Sequence, residues 1–97
     1  MDELIRMAIG DKRLIAFTYH QCNRIAEPHV YGIRKGKHQV LTYQVDGESR
    51  SGKPFGWKRV NLSDMSGLQV LAKHFPGARP TASGQPSHFD VILAVVE

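Results

Sequence analysis

At 97 residues the chain is the size of one domain, because two cores would leave each half too small to bury enough apolar surface. Its 41% hydrophobic and 23% charged residues exclude a disordered chain, its single cysteine, Cys22, excludes an internal disulfide, and no apolar run nears the roughly 20 residues of a membrane helix. The net charge of +4 is uneven: residues 1–62 hold 11 Lys and Arg against 6 Asp and Glu, whereas residues 63–97 hold 2 against 3, so any face that concentrates anions belongs to the first part.

The chain opens with Met1-Asp2-Glu3-Leu4-Ile5-Arg6, which has no basic run followed by a long apolar stretch, and a cytoplasmic location is expected. Asp2 is placed to cap a helix in which Leu4, Ile5, Ala8 and Ile9 recur on one side, with Gly10 as its stop. Residues 14–19 alternate, with Ile15, Phe17 and Tyr19 on one face, and read as a strand; residues 20–23 are a polar turn. Residues 24–33 are extended through Ile25, Val30 and Ile33, but Pro28 has no ladder donor, so an edge, a bend or a bulge is expected there. Residues 34–37 make a basic hairpin tip, residues 40–45 a third strand, and Asp46-Gly47 a turn.

After a polar loop through Gly52, a fourth strand carries Phe55, Trp57 and Arg59 on one face and ends near Leu62, and residues 68–72 form a fifth. Prolines and glycines mark residues 76–87 as a linker. Beyond it, residues 89–96 are apolar on both faces, the pattern of a strand covered on both sides, either at the edge of its own sheet or across to a second protomer, and a homodimer is the expectation. One helix and five short strands predict a mainly β fold, a small and strongly bent sheet or barrel, with residues 88–97 as an extra C-terminal strand.

His20, Cys22, His29 and His38 hold only one thiolate among them, short of a closed zinc site, so no metal or cofactor is expected. A Cys22 nucleophile needs a positioned base and an orienting carboxylate, for which Glu27 is the nearest acid; no catalytic set stands out and no enzyme activity is expected. The stronger pattern is Arg24, Tyr43, Arg50, Lys53, Phe55, Trp57, Lys58 and Arg59, in which cations alternate with rings able to stack on bases or ligand rings. The alternative is that the rings fill the core and the cations are solvated.

The order of residues resembles the WYL family. The likeness rests on the helix, the strand ending Ile15-Ala16-Phe17-Thr18-Tyr19, the step Arg24-Ile25-Ala26-Glu27-Pro28, the strand Val40-Leu41-Thr42-Tyr43, the run Phe55-Gly56-Trp57-Lys58-Arg59-Val60, and Phe75-Pro76-Gly77 before the last strand. Where the family carries its Trp-Tyr-Leu, this chain has His38-Gln39-Val40, and its only tryptophan, Trp57, lies in a later strand. The resemblance implies an Sm-like, SH3-like five-stranded barrel over residues 1–75. It also implies a non-catalytic regulatory module, here in stand-alone form, that binds an anionic small molecule, nucleotide or short nucleic-acid strand. Arg24, Tyr43, Arg50, Phe55, Trp57, Lys58 and Arg59 are the expected binding residues, Arg24 and Arg59 foremost, because a guanidinium can grip a phosphate with two donors. The rival expectation is a protein–protein interaction domain acting through the last strand.

Overall fold

The computed structural model describes residues 1–47, 55–80 and 89–97. The fold is mainly β, as the sequence predicts: helix α1 (Asp2–Asp11) leads into β1 (Arg13–Tyr19), β2 (Cys22–Arg34), β3 (Lys37–Gly47) and β4 (Gly56–Asn61). A 3-10 turn (Leu62–Asp64) then precedes β5 (Met65–His74) and β6 (Val91–Val95). The strands are antiparallel in the order β4-β3-β2-β1-β5, with β6 added on β2. The 3-10 turn joins β4 to β5 at the two ends of this order, and no ladder connects them among the described residues. None of the described helices is long and apolar enough to cross a membrane.

The long strand β2 organises the rest. One of its edges pairs with β3 along residues 24–34, and the other is divided between β1, at residues 22–26, and β6, at residues 30–33. Helix α1 buries Ile5, Ala8 and Ile9 on the inner face of the sheet, where Ile15, Phe17, Tyr31, Val40 and Val60 form the core. Full burial of such a side chain contributes about 1.5–3 kcal/mol, so this stripe fixes the helix in place.

Asp2 does not cap the helix: Met1 occupies the cap, and Asp2 instead accepts hydrogen bonds from the Tyr31 hydroxyl at 2.7 Å and from Arg6 Nε at 2.9 Å. Burial, then the bond to Asp2, pushes the Tyr31 phenol up to about 12. Nor does Gly10 stop the helix; Lys12 does so, in left-handed conformation with φ 55°.

The last strand lies on its own chain, with Val30 opposite Val95 and Ile33 opposite Val91. The full burial expected of it is not met. Phe89 and Val96 are buried, and Leu93 and Ala94 pack against the core, but Val91 is 48% exposed, Ile92 45% and Val95 48%. Gly32 makes the close approach possible, since a Cβ there would meet the Val91 carbonyl oxygen and lie 2.7 Å from the Phe89 ring.

Candidate ligand-binding face

Strand alternation sorts the predicted binding residues onto two faces. Across the β3–β4 ladder Leu41 opposes Arg59 and Tyr43 opposes Trp57, placing these four on the outer face; Thr42 opposes Lys58, placing Lys58 on the inner one. Arg24 is also on the inner side, two residues from the buried Ala26 and opposite Phe17; its guanidinium packs 5.1 Å over the Tyr19 ring, with Nε buried and without a partner among the described residues. The structure therefore brings Tyr43, Trp57 and Arg59 together and separates them from Arg24 and Lys58. Phe55, 61% exposed, precedes β4, and Arg50 and Lys53 lie outside the described residues.

The outer face is built around a bulge. Pro28 opposes Thr42 and Val30 opposes Leu41, leaving His29 as the extra residue, at the proline that was expected to interrupt the ladder. The insertion lets His29 and Val30 both join Glu27 on the outer side. His29 Nε2 is 2.9 Å from Glu27 Oε1, and the imidazole meets the Trp57 ring edge-on at 4.8 Å and Phe75 at 5.4 Å. Burial lowers the His29 pKa against the opposing pull of the carboxylate, so the ring is neutral near pH 7. No nucleophile is among these partners.

Glu27 is 3% exposed and is held by Arg79 through two parallel bonds, Nε to Oε1 at 2.6 Å and Nη2 to Oε2 at 2.9 Å. Burial raises the Glu27 carboxyl, but the bonds and charges of Arg79 and His29 outweigh it and hold the pKa below its ordinary value. The same guanidinium stacks 3.9 Å over the Tyr43 ring, and Tyr43 meets Trp57 edge-on at 5.3 Å. Arg79 falls in the segment read as a linker, and no signal in the sequence pairs it with Glu27.

Further along the same face, Arg59 donates from Nη1 to Gln39 Oε1 at 3.3 Å and rests 4.5 Å over the Phe89 ring. Val30, Leu41 and Phe89 form a small apolar cluster beneath it, with Trp57 against one side. Arg59 Nη2 is buried with no acceptor among the described residues. Burial, and then the like charge of Arg34, lowers the Arg59 pKa. An unpaired buried donor on a charged group is costly, about 1–3 kcal/mol or more, and an incoming anion would relieve that cost. A separate groove of about 530 Å³, bordered by Asp2, Tyr31, Lys37, His38 and Leu62, contains none of the predicted binding residues.

Comparison with family models, curated proteins and solved structures finds no match to this chain.

Proposed function

We propose that the chain is a non-catalytic binding module of WYL-like type whose outer face takes an anionic ligand at Arg59. The observation that carries this reading is the buried Nη2 of Arg59, which has no acceptor among the described residues and feels the like charge of Arg34. A phosphate or similar oxyanion supplies the acceptor and the charge that Arg59 lacks, while the partly exposed Trp57 supplies apolar surface for an attached ring. A short nucleic-acid strand, a nucleotide and a small polyanion share this chemistry. Trp57, the only tryptophan, reports on the site: titration with oligothymidylate or tripolyphosphate at low salt should change its fluorescence saturably, and the change should weaken as salt is raised. A flat titration with both probes overturns the proposal.

A second reading, association of two copies through β6, is favoured by the exposure of Val91, Ile92 and Val95 on an edge strand. It expects a dimer by sedimentation that Val91→Lys with Val95→Lys converts to monomer without lowering the melting temperature. A wild-type monomer at all concentrations refutes it.

A further inference from the structure

Arg79 is tied to the fold by its side chain more than by its backbone. Around it, Pro76, Ala78 and Pro80 are exposed, and the nearest backbone bond is from Ala78 N to the Glu97 carbonyl at 3.2 Å. Yet its guanidinium meets two preformed features, a buried carboxylate that accepts both prongs of the fork and a ring that stacks on its plane. Glu27 is oriented by His29, and Tyr43 by Trp57. A buried carboxylate requires a cationic partner, whereas the half-exposed Arg79 can be solvated by water. The receptor is thus more demanding than its occupant. Two parallel donors and a flat cation are properties of a guanidinium, not of an ammonium.

We propose that Glu27, His29, Tyr43 and Trp57 form a guanidinium-binding site that Arg79 fills from within the chain, and that Arg79 acts there as a clasp over the Tyr43 ring. While the clasp is closed, the stacked face of Tyr43 is covered; when it opens, the ring joins Trp57 as a stacking surface a few residues from Arg59. This second consequence rests on the anion-binding reading above, whereas the guanidinium site stands without it.

Chemical rescue tests the site directly. In Arg79→Ala, millimolar methylguanidinium should shift the Tyr43 and Trp57 ring resonances saturably and raise the melting temperature. Methylammonium should do neither, and adding Glu27→Gln should weaken the effect at least tenfold. No saturable shift, or an equal response to methylammonium, overturns the guanidinium site. Should Arg79→Ala fail to fold, Arg79→Lys, which keeps the charge but lacks the fork, carries the same titrations. For the clasp, Arg79→Ala should bind oligothymidylate at least threefold more tightly than wild type but tripolyphosphate no more tightly, although a cation has been removed. Weaker binding of both probes makes Arg79 a ligand contact and refutes the clasp. If neither protein binds either polyanion while methylguanidinium still rescues, the anion reading and the clasp's role in it fail, and the guanidinium site remains.

Discussion

Glu27 and His29 make the outer face sensitive to acid, and both act in the same direction. The unfolded chain protonates His29 at its ordinary value near 6.5, before the buried ring does, so stability present at neutral pH is lost as pH falls below that value. Glu27 adds a second loss below the ordinary carboxylate value of 4.5, because its folded pKa is depressed. Thermal melts from pH 7 to pH 3 should therefore show two successive declines. His29→Phe should remove the upper one and Glu27→Gln should reduce the lower, to which Asp2 also contributes because its hydrogen bond from Tyr31 lowers its pKa, and unchanged pH profiles in both variants would show that Glu27 and His29 do not govern the response. At this scale the sequence was partly legible. Period-two spacing correctly put Trp57 and Arg59 on one face, and Tyr43 joins them across the ladder. It could not show that Arg24 faces the other way, because the relation between Arg24 and Tyr43 depends on cross-strand registers and on the shift between Ile25 and Ala26. Arg79 was illegible because its partner lies 52 residues away and is chosen by tertiary packing.

Strand β2 carries most of the architecture, and two of its residues do so for opposite reasons. Pro28 withholds a donor and forces the bulge that presents His29, while Gly32 withholds a side chain and admits β6. The first was readable from the residue's chemistry; the second was not, since only the docked strand reveals the close approach. Gly32→Ala should push Val91 and Phe89 away and cost about 1–3 kcal/mol. For a domain of this size each kcal/mol lowers the melting temperature by roughly 4–8 °C. Gly10→Ala is the control of opposite sign. It lies inside α1 with open space around the added Cβ, so it should stabilise by about 0.5–1 kcal/mol. A Gly32→Ala protein as stable as wild type would mean that β6 contributes little. The helix ends were misread at both Asp2 and Gly10 because a tertiary bond to Tyr31 competes with capping and Lys12 adopts the left-handed stop.

For the molecule as a whole, the class of fold followed from hydrophobic alternation and turn residues, whereas the number of strands on each edge of β2 did not, because edge pairing is decided by contacts between residues far apart in the chain. The sheet has two different faces. The inner one packs an apolar core under α1 and also holds Arg24 over the Tyr19 ring, while the outer one holds Glu27 with Arg79, and Arg59 Nη2 without an acceptor among the described residues. On the outer face that nitrogen shares a surface with the Tyr43 and Trp57 rings, which is the basis for reading it as the binding surface. The most direct measurement is the affinity of wild type and Arg59→Ala for tripolyphosphate and oligothymidylate as salt is raised, with melting temperatures measured in parallel. Wild type should bind with an affinity that falls with salt, and Arg59→Ala should lose at least tenfold, equivalent to about 1.4 kcal/mol, while melting no lower than wild type. Equal affinity in the two proteins, or a variant that loses binding only because it unfolds, would contradict an anion site at Arg59.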